Sequence, residues 1–182
     1  MRATVVYESM YGNTHAVAEA VADGLRSVAE AHFEVAVVPV RDAAVAVEHT
    51  DLVIVGAPTH VHGMSRPSTR AAAAEAAAKP GSTLHLEPQS DGVGVRDWLA
   101  DLGPRRGPAA AFDTRVNAPV LVTGHAGKAI GARLRDAGLQ LVTEPESFLV
   151  DRENDLLPGE LHRARGWGER IGRDLCPGTS RP

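Results

Sequence analysis

The stretch that most constrains the fold is "VVYESMYGNTHAVAEAVADGL", residues 5–25. Thr4 to Tyr7 is short, β-branched and followed at once by turn residues, so it predicts a buried strand. Beyond the turn Glu8 to Thr14, the apolar residues Val17, Val21, Leu25 and Val28 recur at near-helical spacing and mark one helix face. A strand that passes into a helix through so short a turn opens a β–α unit, and the rest of the chain repeats that alternation.

"FEVAVVPV" (33–40) and "DLVIVG" (51–56) predict the second and third strands, with Pro39 placing the end of the second near an edge or exit. Once past Asp51 the third strand shows no polar alternation. Continuous apolar strands separated by helices indicate a parallel sheet covered on both faces. Arg70 to Lys79 is an alanine-rich helix stopped by Pro80-Gly81, and 81–94 is a polar, glycine-bearing loop whose Glu87 and Asp91 are expected in solvent. Val95 to Leu102 is a short helix with Gly103 as its C-cap, and Ala109 to Phe112 is the fourth strand. Gly127 to Ala137 is helical and ends at Gly138. Leu139 to Val142, with Ser147 to Val150, gives a fifth strand interrupted by a polar kink. Gly159 to Leu175 is the last helix, with Leu161, Ala164, Gly168, Ile171 and Leu175 facing inward.

Right-handed crossovers between five such strands favour a doubly wound α/β sheet in the order 2-1-3-4-5. The chain reads as one domain over residues 1–175, with a flexible tail at 176–182. In such sheets ligands bind beyond the carboxyl ends of the strands, where the strand order reverses. Three loops therefore carry the functional expectation: residues 8–14, 57–66 and 113–118.

The first loop has the parts of an anion site. Ser9, Asn13 and Thr14 offer side-chain donors, and Gly12 lets the backbone bend closely around a ligand. The amides at the helix start are unpaired and lie at the positive end of the helix dipole. The loop holds no Lys or Arg, so it would bind phosphate through neutral dipoles. A nucleotide-triphosphate loop needs Lys followed by Ser or Thr; Gly127-Lys128-Ala129 lacks the hydroxyl and the earlier glycine. Gly92 and Gly94 follow a loop, and Asp97 stands where a dinucleotide fingerprint needs its third glycine. Simple helix capping accounts for one or two of these polar residues, not for four together with a glycine.

Composition removes other classes. The net charge of −4 and the scattered arginines give no basic stripe for nucleic acid. No apolar run approaches a membrane span, and Met1 to Val6 lacks the marks of a signal peptide. The single Cys176 cannot form an internal disulfide, which leads to the expectation of a cytoplasmic protein. His60 and His62 have the spacing of a metal pair, but zinc needs three or four ligands and Cys176 lies far off in the tail. No metal is expected, although His15 and His125 could lie nearby.

With these loops in hand, Ser9-Met10-Tyr11-Gly12-Asn13-Thr14 resembles the phosphate loop of flavodoxins and related FMN proteins, whose pattern is S/T-x-T/Y-G-N-T. Pro58-Thr59-His60-Val61-His62-Gly63 is similar to the loop that packs beside the flavin ring in the same family. Asp113-Thr114-Arg115, with Asn117 after them, fall where the family places its third flavin-contacting loop. The resemblance covers roughly residues 2 to 175 and implies a flavodoxin-like three-layer αβα sandwich. It implies that residues 9–14 hold the FMN phosphate, that Pro58 to Gly63 line the isoalloxazine, and that 113–117 close its other side. Gly63 would offer a backbone group near the flavin N5, and Arg115 would stabilise an anionic reduced ring. No side chain is assigned a catalytic role, because the flavin itself carries the electrons.

One departure from the family pattern matters. Electron-carrying flavodoxins usually sandwich the ring between aromatic side chains, whereas these two loops offer His60, Val61, His62 and Val116-Asn117-Ala118. Three readings follow from the resemblance. The first is an FMN electron carrier working between a reductase and a redox partner protein or small-molecule acceptor. The second is an FMN-dependent NAD(P)H:quinone oxidoreductase of the same fold, which "SMYGNT" and "GAPTHVHGMS" also resemble. The third is a flavin-free regulatory or interaction domain.

Overall fold

The structure is a computed structural model that describes residues 1–28, 33–60, 63–88, 90, 92–119 and 123–176. The first strand, β1 (Arg2–Tyr7), pairs in parallel with β2 (Glu34–Pro39) on one side and with β3 (Leu52–His60) on the other. β3 pairs with β5 (Pro108–Val116), whose far side holds two short strands in succession, β6 (Gln140–Leu141) and β7 (Glu146–Val150). The order β2-β1-β3-β5-β6 is the doubly wound 2-1-3-4-5 arrangement, with the fifth position filled in two pieces as the kink predicted. A two-residue strand, β4 (Gly63–Met64), folds back antiparallel on the end of β3.

Helices cover both faces, and that is why the strands need no polar alternation. On one face α1 (Asn13–Arg26) and α6 (Glu160–Leu175) pack on Val5, Tyr7, Ile54 and Phe112. Phe112, Phe148 and Trp167 meet edge to face there, with centroids 6.0–6.2 Å apart. The opposite face is covered by α2 (Ala43–Ala46), α4 (Val95–Asp101) and α5 (Ala126–Asp136), on Val6, Val53, Val55 and Ala111. The alanine-rich α3 (Pro67–Ala77) lies beside the first loop, where Ala73 O accepts a hydrogen bond from Tyr11. α1 and α6 approach closely because each presents glycine. A Cβ on Gly168 would lie 2.2 Å from Val21 O, and one on Gly24 would lie 2.0 Å from Arg165 O.

Several details differ from the expectation. The β2–β3 connection holds a 3-10 turn at Val40–Asp42 and α2, anchored by buried Val40, Ala43 and Val47. β3 and β5 run on to His60 and Val116 because the ladder continues through Pro58 and Thr114. α4 ends without using Gly103; Leu102 is already extended, and its side chain packs onto the core. Leu161 is 46% exposed, since Glu160 takes the inward position in the first turn of α6. The Glu160 carboxylate accepts the Leu149 N–H at 2.7 Å, while Leu157 N–H donates to Leu149 O at 2.9 Å. Arg163 reaches Ser147 O beside them. Glu87 is not free in solvent, as the site shows below. Of the expected tail, 177–182 lie outside the described residues, as does Asp91. No helix among the described residues is long and apolar enough to cross a membrane.

Candidate functional site

The first loop turns through Gly12, which sits at φ 95° as the N-cap of α1. Gly12 N–H donates to Ser9 Oγ at 3.0 Å, so the loop closes on itself. Gly12 O accepts from Ala16 N–H and starts the helix ladder. The amides of Asn13, Thr14 and His15 have no intrahelical acceptor, as at any helix start, and make the positive end of α1 an anion donor set.

Side chains then tie this loop to the rest of the molecule. Thr14 Oγ1 lies 2.7 Å from Thr114 Oγ1, and both side chains are buried. Asn13 Nδ2 donates to Asn154 O at 2.6 Å; Asn154 has φ 70°, the left-handed conformation that asparagine tolerates. Tyr11 Oη donates to Ala73 O at 2.8 Å, and burial raises its phenol above the ordinary value. Glu87 N–H donates to Met10 O at 2.9 Å, and its carboxylate sits 2.9 Å from His15 Nδ1. His15 in turn stacks on Tyr7, with centroids 4.4 Å apart. Through Glu87 the 81–94 stretch therefore braces the phosphate-type loop. Burial, with Glu87 and Glu19 adding to it, pushes the Tyr7 phenol up to about 12.

A cleft of about 100 Å³ opens where the strand order reverses. One wall is Ser9, Met10, Tyr11, Asn13 and Thr14, and a second is Pro58, Thr59 and His60. Thr114, Arg115 and Val116 form the third, and Val150 with Asn154 closes the far side. The three loops singled out in the sequence thus meet at one place. Val116 lies within the third loop expected from the sequence, whereas Val150 and Asn154 lie outside all three.

Other expected residues lie beside the cleft. Gly12 shapes the first loop from behind, and Gly63 pairs with His60 across β4. Gly63 lines a neighbouring groove of about 580 Å³ that shares His60 with the cleft and also holds Arg66 and Arg96. Asn117 is exposed, its N–H donating to Val150 O at 2.8 Å. Asp113 faces away from the cleft. Its Oδ2 accepts Gly127 N–H at 2.7 Å and lies 2.8 Å from His125 Nδ1, so it caps α5 as a strand-exit aspartate can. Val61 and His62 lie outside the described residues. His15 and His125 are engaged elsewhere and do not join His60, and among the described residues no three metal-ligating side chains cluster.

Under the second wall lies a buried polar brace. Arg70 Nη1 donates to Ser65 Oγ at 3.0 Å, and its Nη2 lies 3.2 Å from Asp97 Oδ2. Arg96 donates to Met64 O and Ser65 O at 2.7 and 3.0 Å. Glu8 Oε2 accepts the Val95 N–H at 2.8 Å. Burial holds the His60 imidazole below its ordinary value; Glu8 opposes this, and Arg70 acts with burial. Burial thus favours the neutral form of the His60 ring.

Set beside known proteins, the chain shows two kinds of similarity, one in sequence and one in fold. The flavodoxin family model matches residues 5–87. A flavodoxin from the domain Archaea is 20% identical, with 96% of this chain and 99% of that chain covered at a TM-score of 0.63. Oxidised flavodoxin 1 from Bacillus cereus is 19% identical, with 94% and 97% covered at a TM-score of 0.62. A flavodoxin, WrbA-like protein from Agrobacterium tumefaciens is 21% identical, with 94% and 95% covered at a TM-score of 0.56. No curated protein matches in sequence. The family model thus matches the first half of the domain, and the chain as a whole shares the flavodoxin fold.

Proposed function

We propose that this chain binds FMN and serves as an electron carrier between a reductase and a redox partner or small-molecule acceptor. One observation carries the reading. The unpaired amides of α1, Ser9 and Thr14 converge with Arg115 on a cleft at the switch point, with Pro58 to His60 beside it. These residues fit the phosphate end of FMN: amides and hydroxyls supply several hydrogen bonds, and the helix dipole adds about 0.3–1 kcal/mol. Bound there, the flavin would supply one- and two-electron chemistry. The chain's part is to hold the phosphate at residues 9–14, to seat the ring against Pro58 to Gly63, and to keep His60 at its edge. Thr114, Arg115 and Asn117, with Asp113 behind them, would form the opposite border. A yellow preparation, or a melting temperature raised by added FMN, supports this reading. A colourless protein whose melting temperature ignores FMN rejects it, and would favour the flavin-free interaction domain.

A second reading, an FMN-dependent NAD(P)H:quinone oxidoreductase, is favoured by one feature of the cleft. Its only aromatic wall residue among those described is Tyr11, whose hydroxyl is committed to α3, so a ring face is left open for a substrate. Steady NADPH consumption with a quinone by the flavin-loaded protein would select this reading over the carrier.

A further inference from the structure

Arg115 stands apart from the other arginines near the cleft. Its Nη1 is held by Ala118 O at 2.9 Å, with Val116 O and Thr123 Oγ1 each at 3.4 Å. On the other side of the guanidinium, Nε is buried and has no partner among the described residues. No ion pair among the described residues includes Arg115. Asp113, two residues earlier on the same strand, is turned to α5. A buried guanidinium N–H without an acceptor costs free energy, so the arrangement makes sense once an acceptor enters the cleft.

The Nε–Nη2 edge is the planar fork that matches two oxygens of a carboxylate or a phosphate. Arg115 lines the same small cleft as Ser9, Asn13 and Thr14. Its neighbour Thr114 is bonded to Thr14 at the start of α1. At about 100 Å³ the cleft is well below the ~300–1,000 Å³ of sites that enclose a drug-sized ligand, and suits a compact head group. An isoalloxazine must lie outside it, toward His60.

We propose that Arg115 makes this cleft selective for a phosphomonoester terminus, clasping it opposite the α1 amides and so discriminating FMN from riboflavin. The proposal rests on the FMN reading but assigns Arg115 to the phosphate and not to the ring. The neutral first loop then does not act alone: the cation comes from the fourth strand of the doubly wound order, a hundred residues on.

The test is the dissociation constant of FMN and of riboflavin, by flavin fluorescence quenching, for wild type, Arg115→Gln and Arg115→Lys. The wild type should prefer FMN. Arg115→Gln should lose about 10- to 100-fold in FMN affinity with riboflavin affinity unchanged. Arg115→Lys keeps the charge without the fork and should fall between; it also decides the matter if Arg115→Gln does not fold. Equal losses for both flavins, or no loss for either, overturn the proposal while leaving FMN binding intact. If wild type binds neither flavin, the FMN reading fails by itself, and phenyl phosphate then serves as probe. A thermal shift with phenyl phosphate that the Gln variant lacks sustains the role of Arg115; no shift in wild type overturns it.

Discussion

Thr14 Oγ1 and Thr114 Oγ1 meet at 2.7 Å in a buried contact that joins the start of α1 to the end of β5. It is the one direct side-chain bond between the first and third walls of the cleft among the described residues. Thr14→Val or Thr114→Val leaves the other hydroxyl buried without its partner. Each single change should cost about 1–3 kcal/mol in urea unfolding. The double variant should cost less than the sum, by roughly 0.5–3 kcal/mol. Strict additivity would show that the two hydroxyls do not act as a pair.

Gly12 is held at φ 95° with no atom nearer to an added Cβ than Glu87 Oε1 at 3.6 Å. Strain there is conformational, not steric. Gly12→Ala should destabilise the fold by roughly 1–2 kcal/mol, the cost of a left-handed conformation at an L-residue. Gly12→Pro fixes φ near −65° and removes the donor to Ser9 Oγ, so the loop cannot close. Flavin should be lost while circular dichroism still reports the helices. Full flavin retention in Gly12→Pro would mean that the phosphate sits elsewhere.

Glu160 sets an acid limit on stability. Burial alone would raise its carboxyl, but hydrogen bonds from Arg163 and Leu149 N–H, with the Arg163 charge, outweigh it and hold the group below its ordinary 4.5. A depressed carboxylate contributes stability that is present above the unfolded value and is lost as pH falls through the folded one. Melting temperature should therefore drop as pH falls below about 4.5, and Glu160→Gln should flatten that drop. The same slope in both proteins would assign the acid limb to other groups.

His60 works in the same direction, in a higher pH window. Its imidazole is held below 6.5, so the unfolded chain takes the proton first and stability declines as pH falls through 6.5. His60→Tyr should remove that part of the decline. It should also tighten FMN, by roughly 1–3 kcal/mol if the phenol stacks on the ring as aromatic residues do on bases. Thermal melts at pH 7.5 and 5.5 with an FMN titration would check both, and unchanged affinity would place the ring away from His60.

Much of the site was legible because its residues follow strands directly. Ser9 to Thr14, Pro58 to His60, and Thr114 with Arg115 each continue a strand whose apolar run was plain, so topology brought them together. The fold was legible for the same reason, down to the divided fifth strand. What stayed hidden depends on tertiary closure. Asn154 enters the cleft only because Asn13 reaches across to its carbonyl, and nothing local to "DREND" announces that. Glu87 sits in a polar stretch that reads as solvated, and its bond to Met10 O has no periodic signature. Gly24 and Gly168 look like weak points in two helices until the helices are seen to touch there. Leu161 misled because apolar spacing could not show that a carboxylate would take the inward place in that turn.

The way the chain folds back on β7 bears on its behaviour in concentrated solution. A sheet's outermost strand offers unpaired backbone groups to any other strand that approaches, and is a common seed of aggregation. Here Leu149 N–H is taken by the Glu160 carboxylate, Leu149 O by Leu157 N–H, and Ser147 O by Arg163. At these positions the border is already saturated by the same chain, and an incoming strand finds no ladder to extend. Glu160 and Arg163 thus take, at these positions, the backbone partners that a further strand would supply.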